Sequence, residues 1–324
     1  MDHREIGQTG IQVSRIILGC GNFGGIGSSP AFFGQGTSKS DALALMDTAW
    51  DTGITTFDTA DAYGGGSSEL FIGEWLATKG NDVRDRLVLT TKTFNPMAGG
   101  ADYGLSAKRI ARQVESSLSR LGVERVALFL AHEFDPDTSL AETQAAFDAL
   151  IAAGKIGAVG ASNFSDHQLG DALDSSAQHG QGRYEWVQNS FSLLDRGDTN
   201  GVIVRCRAEG LGYTPFSPLA GGWLTGKYRR GQPLPAGSRM TLRPEPYAAY
   251  RTDPVFDALE AMQGVADDHH VTMATLALAW ALAQPSLTGI VIGPNRVEQL
   301  QPALDAHRCR IDPTVFDYLS ELFI

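Results

Sequence analysis

The 324-residue chain predicts an α/β protein, a (β/α)8 TIM barrel with an N-terminal β-hairpin capping its bottom. Three observations carry that prediction. Short β-branched runs alternate with longer amphipathic segments, the pattern of βα units around a parallel sheet. The runs number eight, which suits a closed barrel better than an open sheet. Each run stops at polar or small residues, as barrel strands do where their C-terminal ends carry a site.

The elements follow in order. Residues 3-HREIGQTGIQV-13 read as two short strands joined through Gln8–Thr9–Gly10, a hairpin able to plug the barrel. Strands are expected at 15–18, 54–57, 87–91, 126–130, 156–159, 185–187, 212–214 and 289–292. Helices are expected at 40–51, 68–77, 106–121, 140–153, 165–177, 202–209, 254–267 and 297–306. In the third of these Ile110, Val114, Leu118 and Leu121 form one apolar stripe. The run 273-MATLALAWALA-283 is too short for a membrane span of roughly 20 residues and reads as a buried barrel helix. Residues 226–254, rich in Pro, Gly and Arg, read as a long cofactor or active-site loop, functional or mobile. With no linker in the composition, 1–324 is taken as one barrel domain.

A formal net charge of -11 argues against nucleic acid or an anionic membrane as a main partner, because phosphate surfaces need a basic face. It leaves room for an anionic cofactor, which needs only a few local cations and amide donors. Cys20, Cys206 and Cys309 are scattered and form no CxxC pair, so reduced thiols and a cytoplasmic setting are expected. The first ten residues show no apolar leader. Oligomeric state is left open.

Residues 19-GCGNFG-24 match the G-x-G-x-x-G dinucleotide fingerprint after an apolar run, but no helix opens at the last glycine. What remains is a glycine-rich loop that a ligand can approach closely, and Gly21, Asn22 and Phe23 are assigned to it. The second run ends at Asp58, with Tyr63 five residues on. The third ends at Lys92, the fourth at His132, the fifth at Ser162 and Asn163, and the sixth at Gln188 and Asn189. The seventh gives Phe216 and Ser217; the eighth gives Gly293, Asn295 and Arg296. Singly each polar residue is unremarkable: Asp caps helices, Lys sits on surfaces, and a His near a core is usually a hydrogen bonder. Together, on three neighbouring strand ends, Asp58, Tyr63, Lys92 and His132 describe proton delivery to a carbonyl oxygen. Lys92 is expected to lower the phenol's pKa, Asp58 to hold Lys92, and His132 to donate to the same oxygen. No HExxH or HxH pair, nucleophile elbow or site cysteine supplies another chemistry, so a hydride-carrying nicotinamide fits the gap.

Along nearly its whole length the chain resembles the aldo-keto reductases. The resemblance rests on the hairpin, 57-FDTADAYGGGSSE-69, 90-TTK-92, 131-AH-132, 157-GAVGASNFS-165, 217-SPLAGGWLTGKY-228 and 292-IGPNRVEQL-300. It implies reduction of an aldehyde or ketone with NADP(H) favoured and NAD(H) possible, and a catalytic tetrad of Asp58, Tyr63, Lys92 and His132. It places Ser162, Asn163 and Gln188 at the nicotinamide carboxamide and Phe216 on the nicotinamide ring. Ser217, Leu219, Gly221, Leu224, Lys227 and Arg239 would hold the phosphates, and Gly293, Asn295, Arg296 and Gln299 the adenosine end. One departure stands out. Pro302 and Ala303 replace the Glu-Asn pair that grips adenine in the family, which implies looser adenine binding. Arg296 favours the 2′-phosphate of NADP.

Phe23, Phe94, Phe134 and Phe191 follow strand ends and read either as core or as an aromatic wall around substrate, with Phe32 and Phe33 folding over the mouth. An aromatic wall implies a flat or sugar-like small-molecule carbonyl or alcohol rather than a strongly anionic one. The acids of 132-HEFDPD-137 run along a turn and read as no metal site. Three other readings stay open. One is a non-catalytic NADP(H)-binding sensor or auxiliary subunit, one a sugar or alcohol dehydrogenase working oxidatively, and one a barrel isomerase without nicotinamide.

Overall fold

Two antiparallel strands open the chain, β1 (His3–Glu5) and β2 (Gln12–Ser14), in the register His3↔Ser14, Arg4↔Val13 and Glu5↔Gln12. Eight parallel strands follow: β3 (Ile16–Gly19), β4 (Thr56–Asp58), β5 (Val88–Thr93), β6 (Val126–Ala131), β7 (Ile156–Ser162), β8 (Trp186–Gln188), β9 (Gly212–Tyr213) and β10 (Ile290–Ile292). From β3 to β9 each pairs with the next, and β10 returns to pair with β3. Two hydrogen bonds join the remaining edges: Thr288 N donates to Tyr213 O and Val291 N to Pro215 O, both at 2.8 Å. The sheet is thus a (β/α)8 barrel, closed so that no strand edge is left to pair elsewhere. This computed structural model describes residues 1–97, 100 and 102–323.

Most strands run one to three residues beyond the apolar runs at their C-terminal ends, so Asp58, Lys92, Ser162 and Gln188 are ladder residues and not loop residues. Apolarity ends where the site begins, but backbone pairing continues. At the opposite end the hairpin plugs the barrel. Ile6 and Val13, both without exposed surface, pack with Leu128, Leu130, Ala158 and Trp186 from β6, β7 and β8.

The outer helices form where caps and stripes place them. Helix Lys39–Asp51 is capped by Ser38, whose side chain accepts from Asp41 N, and Asp166–His179 starts with a Ser165–Gln168 capping box. Helix Ala107–Leu121 buries Ile110, Val114, Leu118 and Leu121, the stripe read from the sequence. Helix Met273–Ala283 is buried on nearly all sides, and Trp280 Nε1 ties it to Ser320 Oγ of helix Pro313–Leu322 at 2.8 Å. That C-terminal helix and the short Asn81–Arg86 helix were not expected. The expected 297–306 helix divides into a 3-10 turn, Val297–Leu300, and an α-helix, Gln301–Arg308. Pro302 has no N–H to give, which suits the first turn of the second piece and not the middle of one continuous helix.

Residues 226–254 are pinned at Tyr228, Ser238, Met240 and Tyr247, which are buried, while most of the residues between them are exposed. They include the helical turns Arg239–Leu242 and Tyr247–Tyr250. Fully buried Trp223 meets the rings of Tyr228, Tyr250 and Phe256, and its Nε1 donates to Tyr247 O at 3.1 Å.

Candidate active site

Thr90 and Lys92 alternate onto one face of β5, opposite the end of β4, where Asp58 pairs with Thr90. β5 therefore grips Asp58 twice. Its Oδ1 accepts from Thr90 Oγ1 at 2.6 Å and its Oδ2 from Lys92 Nζ at 2.7 Å. The fully buried Lys92 ammonium has two more acceptors, Thr59 O at 2.8 Å and Tyr63 Oη at 3.4 Å. Three acceptors use all three of its protons. Thr91 faces the other way and donates to Glu69 Oε1 at 2.5 Å, while Arg120 Nε donates to Glu69 Oε2 at 2.7 Å.

Tyr63 reaches this cluster because the chain folds back sharply behind it. Gly64, Gly65 and Gly66 take φ of 58°, 67° and 96°, and a Cβ on Gly64 would lie 2.6 Å from Phe23 O. Only glycine accepts both constraints. His132 N donates to Thr93 O at 3.0 Å at the end of β6, and its ring stands edge-on to Tyr63 with centroids 5.5 Å apart. Asn95 Nδ2 lies 3.3 Å from His132 Nδ1. The four sequence candidates thus form one contiguous cluster.

Burial lowers the Lys92 pKa, but Asp58 and Tyr63 outweigh that and move it above its ordinary value, so the ammonium stays charged. The expected lowering of the Tyr63 pKa does not occur. Burial raises it, Lys92 pulls the other way, and the net direction is upward, which keeps the phenol protonated near neutral pH. Burial, followed by the charge of Lys92, pushes His132 well below its usual value, leaving a neutral imidazole.

The candidate cofactor residues fall into three places. At the ends of β7 and β8, Ser162 Oγ donates to Gln188 O at 2.7 Å and Gln188 Nε2 to Asp58 Oδ1 at 3.0 Å. Asn163, at φ 58°, directs Nδ2 to His132 O at 2.9 Å, to Glu133 Oε1 at 3.2 Å and to Ser162 Oγ at 3.2 Å. The amide oxygens of Asn163 and Gln188 make no hydrogen bond among the described residues, which leaves two acceptors of the kind a carboxamide NH2 needs. After β9, Phe216 is partly exposed, Ser217 sits at φ 56°, and its Oγ meets Tyr247 Oη at 2.8 Å. Gly221 at φ 63° packs under the Tyr247 ring, Gly222 under Lys227, and Leu219 and Arg239 lie half-buried nearby. A left-handed, glycine-lined loop with two cations suits a pyrophosphate. After β10, Gly293, Asn295, Arg296 and Gln299 are exposed; Gly293 O accepts from Asn22 Nδ2 at 3.4 Å, and Gln299 Oε1 from Asn295 N at 2.7 Å. A Cβ on Gly21 would sit 3.5 Å from the Tyr63 ring, so this loop flanks the phenol.

Some candidates lie elsewhere. Phe23 and Phe191 are core residues, Phe191 stacked on Trp280, so neither belongs to a substrate wall. Phe94, Phe134, Phe32 and Phe33 keep partly exposed rings. Leu224 has no exposed surface, which leaves only its backbone for a phosphate. Ala303 faces the core, so its position offers no adenine contact. Sequence reading missed Thr90, Asn95, Glu133 and Tyr247. A threonine two residues before the strand-end lysine was the signal available for Thr90; the others had none.

Residues 15–324 match the family model described as "Aldo/keto reductase family". The chain belongs to the aldo/keto reductase family. Curated members resemble it over almost their whole length. The uncharacterized oxidoreductase YrpG of Bacillus subtilis (strain 168) is 34% identical, with 100% of this chain and 96% of its own covered. The versiconal hemiacetal acetate reductase of Aspergillus parasiticus is 29% identical, over 100% of this chain and 97% of its own. The L-glyceraldehyde 3-phosphate reductase of Escherichia coli (strain K12) is 30% identical, over 94% of this chain and 87% of its own. Aldo/keto reductase membership makes the chain an oxidoreductase of carbonyl chemistry with a nicotinamide cofactor.

Proposed function

We propose that the protein reduces an uncharged aldehyde or ketone to the alcohol with NADPH, and that Tyr63 is the proton donor. The supporting observation is the Lys92 ammonium, 2.7 Å from Asp58 and 3.4 Å from the Tyr63 hydroxyl. Ser162, Asn163 and Gln188 would hold the carboxamide and Phe216 the ring face. Lys227 and Arg239 would meet the phosphates. A bound nicotinamide supplies the hydride to the carbonyl carbon. The chain's own part is at the oxygen. His132 and Tyr63 donate hydrogen bonds to it, and as its charge grows the phenol proton transfers. The phenolate left behind is stabilised by Lys92, which Asp58 keeps charged, and is reprotonated from solvent. Gln188 joins the two halves, because the side chain facing the carboxamide also donates to the catalytic carboxylate.

Glu133, its pKa raised to about 7 by burial, lies at the same mouth. A carboxyl there, with Phe94 and Phe134 as partly exposed rings, favours uncharged substrates. Exposed Arg296 favours NADPH.

The test is a screen of NADPH and NADH against aldehydes, ketones and sugars, repeated with Tyr63→Phe. Turnover should fall about 10²–10⁴-fold in the variant, while NADPH fluorescence on binding persists. A variant that turns over normally would remove Tyr63 as the acid. Preferential use of NADH would overturn the cofactor choice.

A further inference from the structure

A neutral imidazole carries one proton, and the reaction assigned above needs it on the nitrogen that meets the substrate. Asn95 lies two residues beyond β5 and places Nδ2 3.3 Å from His132 Nδ1. Among the described residues no other side chain hydrogen-bonds to that ring. Asn95 is itself held from below. Its carbonyl accepts from Nη2 of the buried Arg109 at 2.8 Å, and Arg109 Nη1 donates to Thr93 Oγ1 at 2.7 Å and Gly104 O at 3.0 Å. Thr93 Oγ1 in turn donates to Asp61 Oδ2 at 2.6 Å, two residues before Tyr63. One brace therefore fixes both the asparagine behind the imidazole and the turn that carries the phenol.

An amide nitrogen can only donate, so the Nδ1 it faces must be bare. We propose that Asn95 is a positioning residue that fixes His132 as the Nε2–H tautomer, so that the ring presents a donor to the carbonyl oxygen. This rests on the reductase reading. The opposite tautomer would set a lone pair against an oxygen that is gaining negative charge. With Asn95 turned over, its carbonyl would accept from Nδ1–H and produce that unfavourable form.

The proton can be located without substrate. In protein labelled with 15N-histidine, a long-range proton–nitrogen spectrum separates a protonated from a bare ring nitrogen, and His132→Gln identifies the signal. The wild type should show Nε2 protonated and Nδ1 bare. Asn95→Asp keeps the size but can only accept, and should put a proton on Nδ1. Its kcat for an uncharged aldehyde should fall about tenfold, the worth of one hydrogen bond, with KM and NADPH affinity little changed. Should that variant fail to fold, Asn95→Ala should show the two tautomers mixed. A wild-type proton on Nδ1, or a ring pattern indifferent to residue 95, overturns the proposal. Failure of the reductase reading shows separately, as no carbonyl reduced in the screen.

Discussion

Asp61 has no exposed surface; its Oδ2 accepts from Thr93, and its Oδ1 has no partner among the described residues. Burial raises its pKa to about 7, against a modest pull from Thr93 in the other direction. Unfolded, the same carboxyl ionises near about 3.9. Between these values the folded state binds the extra proton, so Asp61 lowers stability as pH rises from about 4 to about 7. Asp61→Asn should therefore match the wild type near pH 4 and exceed it at pH 8, by an amount on the order of a few kcal/mol. Thermal unfolding of both proteins at the two pH values decides it. A variant less stable at pH 8 would mean that Asp61 works as an anion beside Arg109, 3.9 Å away. The same scale explains Tyr63. Sequence reasoning weighs only the cation nearby, whereas the enclosed pocket adds a larger desolvation cost, and the phenol waits protonated.

At the scale of an element, the turn after β9 is held in one left-handed shape. Ser217, Ala220, Gly221 and Gly222 all take positive φ, and the turn is clamped by the Ser217–Tyr247 bond and by Trp223. A Cβ on Gly221 would stand 2.5 Å from the Tyr247 ring. Gly221→Ala should displace that ring and weaken NADPH binding about tenfold, since a side chain in this conformation costs roughly 1–2 kcal/mol. Fluorescence titration measures it, and unchanged affinity would show that the clamp does not shape the cofactor site. Residues 226–254 read as loop because Pro, Gly and Arg dominate them, yet Met240 and Tyr247 anchor them in the core. Those anchors meet partners such as Trp223, which sit outside any local window.

Along the barrel axis the hairpin closes one end, and the cluster of Asp58, Tyr63, Lys92 and His132 lies at the other. Ile6 is buried under the barrel floor, and Ile6→Ala should cost about 2–5 kcal/mol with kcat unchanged. Denaturant unfolding paired with the aldehyde assay checks this, and a matching loss of kcat would couple the two ends. Much of this plan was legible in the chain. β-branched runs located the strand starts to within two residues, stripes such as Ile110–Val114–Leu118 fixed which helix face turns inward, and the polar residues ending the runs include the four that cluster at the strand ends. These are signals of period two or 3.6, carried by neighbouring residues. Strand ends were underestimated because ladder pairing persists after hydrophobicity stops. Only the tertiary structure decided that Gln188 reaches Asp58, that Asn95 backs His132, that Phe23 turns inward and that Thr288 and Val291 close the barrel. Each of those joins residues far apart in the chain, through contacts that exist only once the barrel has brought the strand ends together.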